Sequence, residues 1–273
     1  MVRRLAVLLE KILCVLSISN GVLWEFLSTG IQLDSIFWSI VCLDSLLHAD
    51  LFDHYAPGDI SIANTSWLQT YKHLSSSLGS INYNIIQNCL AQTLYNHILY
   101  IFPLSVAHWY WRPVDFPLAA PELPKVLLDV AACLLIFDFQ YFVWHLLHHK
   151  VPWLYRTFHK VHKYTATFAL TTDHSGAWET LSLGFFAALS PAILNCHPLT
   201  SYLFFIVNIW LSVEDHSGYD FPWSTHRLVP FGLYGGAPHH DLHHMKFKTN
   251  YAPYFTHWDR LLGTYSTLHK KSH

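Results

Sequence analysis

Residues 126–149 read VLLDVAACLLIFDFQYFVWHLLHH, an apolar run that ends in three histidines. A run of this length predicts a membrane-spanning helix, and acidic groups are costly in lipid. We therefore expect Asp129 and Asp138 to lie near the helix ends or to face other helices. His145 and His149 are one helical turn apart on one face, with His148 beside them. The sequence thus predicts a transmembrane helix that carries imidazoles at one end.

The composition of the whole chain agrees with a membrane protein. Of its 273 residues, 52% are hydrophobic and 12% are charged, whereas soluble domains carry about 25% charged residues. The mean hydropathy is +0.24. These values exclude a disordered chain, and neither half has the basic stripe that nucleic-acid binding requires. The five cysteines are scattered without a CxxC pair, which argues against a disulfide scaffold or a thiolate zinc site.

Further membrane crossings are predicted on both sides of this helix. Residues 89–111 are apolar and lie in a segment without formal charge, which predicts a second span. Residues 181–213 carry no formal charge and are interrupted by Pro191 and by the pair His197 and Pro198. We expect them to form a helical hairpin that enters the membrane and returns. Residues 36–47 are a further candidate, so the predicted fold class is an all-α, polytopic membrane helical bundle with about four crossings.

The hairpin fixes which segments share one side of the membrane. It places residues 150–179 and 214–273 together, and these segments hold ten of the 16 Lys and Arg residues. The positive-inside rule assigns them to the cytosol. The C-terminal Lys270 and Lys271 form a KKxx pattern that resembles the retrieval signal of endoplasmic-reticulum membrane proteins. We therefore expect a multi-pass protein of the endoplasmic-reticulum membrane, with a cytosolic, histidine-rich helical cap.

Nine of the 21 histidines fall into two short clusters. The first reads HLLHH at 145–149 and HKVH at 159–162, and the second reads HHDLHH at 239–244. Helical spacings of three and four let several imidazoles converge on one ion, and imidazole is the commonest ligand for mid-series metals. Isolated histidines are instead expected to be core or surface residues. The candidate ligands, with His216 ahead of the second cluster, are His145, His148, His149, His159, His162, His216, His239, His240, His243 and His244.

The number of candidate ligands exceeds what one ion can use. A tetrahedral site closes at four ligands, so two ions are implied. Thiolate motifs are lacking, and calcium or magnesium would prefer oxygen donors, which leaves zinc and iron. A set of this size suits a dinuclear redox site that keeps open positions for oxygen.

The three boxes HLLHH, HKVHK and HHDLHH, with DHSGYDFPW at 215–223 and APYFTHWDRLLGT at 252–264, resemble the fatty acid hydroxylase and sterol desaturase superfamily. The resemblance covers about residues 85–273 and implies two iron ions, molecular oxygen and hydroxylation of a sterol, with cholesterol at C25 as the specific expectation. A 4-methylsterol or a fatty acyl lipid is the alternative substrate. No dinucleotide-binding motif follows a strand, so an external NADPH-dependent reductase or a membrane cytochrome is the expected electron donor.

The second box departs from the HxxHH pattern of the superfamily, because Lys163 follows His162. A cation beside a metal is unfavourable unless it turns toward solvent. Either His174 or His239 then replaces the lost ligand, or the second iron is weakly held. The alternative function is a non-catalytic relative that binds sterol.

The sequence also predicts the substrate path and the residues that orient the metal ligands. The hairpin at 181–213 and the helix at 126–144 are expected to form a lipid-side entrance beneath the histidines. Asp241 and Asp259 are candidate acceptors for ligand imidazoles, with surface solvation as the competing role. Aromatic candidates for the wall, each with ordinary helix packing as its alternative, are Phe139, Phe142, Trp178 and Trp210.

The sequence predicts two regions in the chain. Residues 1–80 are expected to be an N-terminal membrane-associated segment that either crosses twice or lies on the surface. The sequon at Asn64 is expected on the cytosolic side and unused. Residues 81–273 are expected to form a membrane-embedded hydroxylase domain with boxes at 145–149, 159–163 and 239–244.

Overall fold

The computed structural model describes Tyr71 and residues 83–111, 117, 119–160 and 171–267. Predictions that concern residues 36–47, Asn64, His162, Lys163, Lys270 and Lys271 lie outside this part of the chain. Within it the fold is all-helical, as predicted, apart from one bridge between Tyr234 and Phe255. The helices are α1 (Tyr83–Asn96), α2 (Phe102–Trp111), α3 (Leu123–Lys150), α4 (Pro152–Leu154), α5 (Ala177–Ile193), α6 (Pro198–His216), α7 (Thr225–Leu228), α8 (Gly236–Lys246) and α9 (His257–Leu261), with π-helical turns at His97–Ile101 and Tyr155–His159 and a 3-10 turn at Pro230–Gly232.

Helix α3 is the longest described helix and contains the predicted transmembrane run. Its 28 residues span about 42 Å at 1.5 Å per residue. Pro124 lies in its first turn, where a missing amide hydrogen costs nothing, and the helix ends just before Pro152. Among the described residues, α3 is the one helix long and apolar enough to cross a membrane.

The predicted hairpin is present as two helices, α5 and α6, joined by residues 194–197. Asn195 adopts the left-handed conformation with φ of 48°, which asparagine tolerates better than most residues and which ends α5. His197 then caps α6, because its Nδ1 accepts a hydrogen bond from the amide of Leu199 at 3.1 Å. Pro191 lies inside α5 without ending it.

Helices α3, α5 and α6 pack together, and α8 packs against the end of α6. Their shared core is aromatic around Phe137, Phe204 and Tyr254. Asp138 is fully buried beside this core, and its Oδ1 accepts hydrogen bonds from the backbone amides of Tyr254 and Phe255. This carboxylate explains how an acidic residue is tolerated inside α3, because it anchors the segment that follows α8.

One face of α3 remains exposed and apolar. Leu128, Phe139 and Leu147 are 71%, 46% and 51% exposed. On helix α2 the apolar residues Phe102 and Trp111 are also exposed, at 63% and 73%. Such continuous apolar surface is typical of contact with lipid.

Candidate metal centre

The first group of histidines, the four-histidine group, comprises His145, His149, His159 and His243. Helix α3 supplies the first two rings, the turn at Tyr155–His159 supplies the third and α8 supplies the fourth. One ligand nitrogen from each ring lies within 4.8 Å of the others. His145, His159 and His243 are at most 4% exposed, and His149 is half-buried.

The second group, the three-histidine group, comprises His216, His240 and His244. His216 is the last residue of α6, and the other two are one turn apart on α8. The Nε2 atom of His240 lies 3.0 Å from the Nε2 atoms of both neighbours. All three rings are buried. The two groups adjoin, because the ring centroid of His243 is 5.6 Å from that of His244.

Backbone carbonyls fix the tautomer of three of these rings. A carbonyl oxygen only accepts hydrogen bonds, so the ring nitrogen facing it carries the hydrogen and the other nitrogen keeps its lone pair. Rings held in this way are oriented for metal binding. The bonds run from Nδ1 of His145 to the oxygen of Tyr251 (2.7 Å), from Nδ1 of His243 to that of Thr249 (2.8 Å) and from Nδ1 of His216 to that of Ser212 (2.8 Å).

The contact between His145 and His159 shows why the four-histidine group suits a cation. Their Nε2 atoms lie 3.1 Å apart. His145 presents a lone pair there, and so does His159 when its Nδ1 donates to the Glu179 carboxylate at 3.1 Å. Two facing lone pairs repel each other. If both nitrogens instead bind one ion at about 2.1 Å, with a right angle between the two bonds, they lie about 3.0 Å apart. The residues present therefore fit a bound metal ion.

Two buried carboxylates support this arrangement, and only one of them was anticipated. Glu179 lies in the first turn of α5 and is 1% exposed. The sequence alone does not single it out, because an acidic residue at the start of a helix usually stabilises the helix dipole. Asp259 accepts hydrogen bonds from the amides of Tyr251 and Ala252, and so fixes the carbonyl that orients His145. Asp241 is also fully buried, within α8.

The pKa of Asp259 reflects this role. Burial alone would raise the pKa of its carboxyl group, but hydrogen bonds from His239, Thr264 and the amides of Ala252 and Tyr251 outweigh burial and lower it. The group is therefore ionised at neutral pH and holds the loop before α9 in place.

Two predicted ligands lie outside both groups. His148 donates from Nδ1 to the carbonyl of Trp144 at 2.7 Å, and its Nε2 accepts from the indole of Trp178 at 3.3 Å. His239 points toward Asp259, with 3.4 Å between Nε2 and Oδ2. His174, considered as a replacement ligand, joins neither group.

A cavity of about 990 Å³ reaches the three-histidine group, near the upper end of the usual range of about 300–1,000 Å³ for ligand sites. His216 and His240 line it, and Glu179 brings its wall close to His159. From there it follows α5 and α6 down to their connecting turn, near Asn195. The predicted hairpin thus forms most of the wall.

The four aromatic residues suggested for this wall do not line it. Phe139 packs against Trp258 on the opposite side of α3, with ring centroids 4.8 Å apart. Phe142 belongs to a small core with Tyr251, and Trp210 is 69% exposed. Trp178 instead donates a hydrogen bond to His148. The aromatic residues that line the cavity are Phe137, Tyr141, Phe185, Tyr202, Phe205 and Tyr254.

The sequence profile of the fatty acid hydroxylase family matches residues 130–264, which contain every member of both histidine groups. The chain belongs to the fatty acid hydroxylase family. This confirms the resemblance seen in the histidine boxes and identifies an oxidoreductase of the hydroxylase type.

Within this family the chain is similar to proteins named for one reaction. It is 72% identical over 186 residues to a cholesterol 25-hydroxylase-like protein of Danio rerio, which covers 68% of this chain and 74% of that protein. It is 61% identical over 180 residues to cholesterol 25-hydroxylase of Homo sapiens, which covers 66% of each chain. The match to the Rattus norvegicus enzyme, at 63% identity, spans 64% of this chain but 59% of the relative. No solved structure matches the chain.

Proposed function

We propose that this chain is a membrane-bound sterol hydroxylase that converts cholesterol to 25-hydroxycholesterol. The observation that carries the proposal is the three-histidine group at one end of a long, mostly apolar cavity. Relatives named cholesterol 25-hydroxylase, or like it, at 61% to 72% identity support a sterol as the substrate. They do not favour the 4-methylsterol or fatty acyl alternatives.

Each histidine group is proposed to hold one iron ion. Bound iron would supply oxygen activation and the oxidising power for an unactivated C–H bond, which side chains lack. The donors in both groups are imidazoles, which suit iron as well as zinc, and membership of a hydroxylase family favours iron. His162, from the second box, is proposed as a further ligand.

The residues of this chain orient the ligands and shape the substrate path. Glu179 accepts the hydrogen bond from Nδ1 of His159, which aims Nε2 at the centre of the four-histidine group. Helices α5 and α6 line the cavity with apolar side chains that exclude water from the reacting end. The substrate carbon to be hydroxylated lies beside His216 and His240.

The reaction needs electrons from outside the chain. One oxygen atom of O₂ enters the C–H bond and the other leaves as water, so each turnover takes up two electrons and two protons. An NADPH-dependent reductase or a membrane cytochrome is the proposed donor. The cytosolic face of the membrane would give it access to the histidine-rich cap.

The proposed membrane arrangement includes other helices besides α3. Helix α3 crosses the bilayer, α5 and α6 enter and return, and residues 89–111 provide a further span. The apolar exposed faces of α2 and α3 support this arrangement. The basic residues on both sides of the hairpin support a cap that faces the cytosol, and the membrane is proposed to be that of the endoplasmic reticulum.

The test is product formation by the full chain in microsomes supplied with a reductase, NADPH and cholesterol. We expect 25-hydroxycholesterol by mass spectrometry, and loss of the product when iron is removed by a chelator and not replaced. Lys163→His, assayed in parallel, shows whether the second box limits activity. If neither form makes an oxidised sterol while both still bind cholesterol, the chain is a sterol-binding relative and the proposal is wrong.

A further inference from the structure

The cavity beside the three-histidine group has polar residues at both ends and a mostly apolar wall between them. At the metal end its wall includes His216. At the opposite end the wall includes Asn195, in the turn between α5 and α6, and Ser201, in the first turn of α6. Between the ends the wall is formed mostly by small or apolar residues, such as Gly184 on α5 and Phe205 on α6, although Asn208 of α6 also lines it.

The distance between the two ends suits one extended sterol. Ser201 and His216 are fifteen residues apart on α6, which corresponds to about 22 Å along the helix. About fourteen bonds of about 1.5 Å link a sterol's ring hydroxyl oxygen to C25, and a staggered path advances about 1.2 Å per bond, which gives about 17 Å. A hydrogen bond of about 2.8 Å at the hydroxyl end brings this length close to the separation of Ser201 and His216 along α6.

The middle of the cavity can accept a flat ring system. A Cβ atom added at Gly184 would meet no atom within 4 Å. Ala188 and Ala192 follow Gly184 at intervals of four residues on the same wall, and all three are exposed at the surface of the helical bundle. The sterol rings can therefore enter sideways from lipid and lie along α5.

We infer that Asn195 and Ser201 form a subsite for the 3β-hydroxyl group of the sterol, at the end of the cavity opposite the histidines. The hydroxyl oxygen of Ser201 makes one long bond, 3.4 Å, to the carbonyl of His197, so it remains able to accept a bond from a ligand. Held at this end, the sterol presents its side-chain carbons to His216. The subsite thus sets which carbon is hydroxylated. This inference rests on the proposed function, because it takes a sterol as the substrate.

Both residues can be changed without disturbing the backbone. Asn195 has φ of 48°, so Asn195→Gly removes the amide group and keeps a conformation that glycine adopts freely. Ser201→Ala places a better helix former inside α6. Ser182→Ala is the matched control, because Ser182 is a half-buried serine of α5 that does not line the cavity.

The experiment compares cholesterol with cholest-5-ene, the same sterol without the 3β-hydroxyl group, in microsomes that hold the full chain and a reductase. Loss of one hydrogen bond to the substrate should lower kcat/KM for cholesterol by about 3-fold to 10-fold in each variant. For cholest-5-ene the variants should match the wild type, since that sterol has no hydroxyl to bind. The cholesterol product should also include sterols hydroxylated at neighbouring side-chain carbons.

The outcomes separate this inference from the function on which it rests. If the wild type hydroxylates both sterols equally well, or if the variants lower both rates by the same factor, the hydroxyl subsite does not exist and the sterol hydroxylase remains. If the wild type hydroxylates neither sterol, the proposed function fails, and the inference fails with it. Ser182→Ala should behave like the wild type with both substrates.

Discussion

The two histidine groups are assembled in different ways. The four-histidine group draws rings from three segments of the chain, and one of them, His149, is half-buried. The three-histidine group draws from α6 and α8, which pack directly on each other, and all its rings are buried. The first group therefore depends on the placement of a short turn, whereas the second follows from the packing of two helices.

Their surroundings differ as well. In the four-histidine group a buried carboxylate, Glu179, faces His159. In the three-histidine group a backbone carbonyl orients His216, and both His216 and His240 line the cavity. We therefore expect changes at the three-histidine group to affect both the proposed metal and the substrate, whereas none of the histidines of the four-histidine group lines the cavity.

The largest effect is expected from His240→Ala, because the Nε2 atom of His240 lies between those of His216 and His244. Hydroxylation should fall by about a thousandfold or more as one metal site is lost. Turnover and iron content are the measurements. His257→Ala is the control, since His257 is half-buried and belongs to neither group. Equal activity of His240→Ala and the wild type would show that the three-histidine group takes no part in the reaction.

Gly184→Leu should impair substrate binding without affecting the bound metal. The added side chain enters the open space beside α5, so hydroxylation should fall by about a hundredfold while iron content stays normal. The thermal midpoint should not fall, because leucine favours a helix more than glycine does. Iron loss in this variant would contradict the assignment of this space to the substrate.

Glu179→Gln should weaken metal binding at the four-histidine group. Glutamine keeps the shape but removes the charge that faces His159, and loss of such a support typically lowers metal affinity by about tenfold or more. Iron retained at increasing chelator concentration is the measurement. Glu122→Gln, an exposed site before α3, serves as the comparison. If both variants lose iron alike, Glu179 has no special role.

The smallest effect concerns Asp259, which stabilises the loop that orients His145. Because its pKa is lowered on folding, its contribution is present above the unfolded pKa of about 3.9 and is lost as the pH falls through the folded value. Asp259→Asn should lower the free energy of unfolding at neutral pH by about 1–3 kcal/mol. Thermal unfolding between pH 7 and pH 3 should show a shallower pH dependence in this variant. An unchanged pH profile would contradict the role.

Much of this arrangement follows from local sequence. The apolar runs at 126–149 and 181–213 predict α3 and the α5–α6 hairpin, because helix length and Pro198 determine where each helix can lie. The spacing of His145 and His149, and of His240 and His244, brings each pair together on one face. Three-residue and four-residue spacings are properties of the helix itself, so they need no tertiary information.

Other features depend on contacts that spacing does not reveal. His148 is also in the HLLHH box, but its position on the helix directs it to Trp178 rather than to the other ligands. Glu179 reaches His159 only because the chain folds back across twenty residues. The aromatic residues of the cavity wall were misassigned because lipid-facing and cavity-facing surfaces are both apolar in a membrane protein, and only helix packing distinguishes them.

The most direct test is the iron content of the purified full chain and of two variants, each lacking one ligand from a different group. The wild type should hold about two irons per chain, and His159→Ala and His240→Ala should each hold about one. This result would establish two separate metal sites. A wild-type chain that hydroxylates cholesterol with about one iron, or that loses all its iron in either variant, would contradict the two-site arrangement.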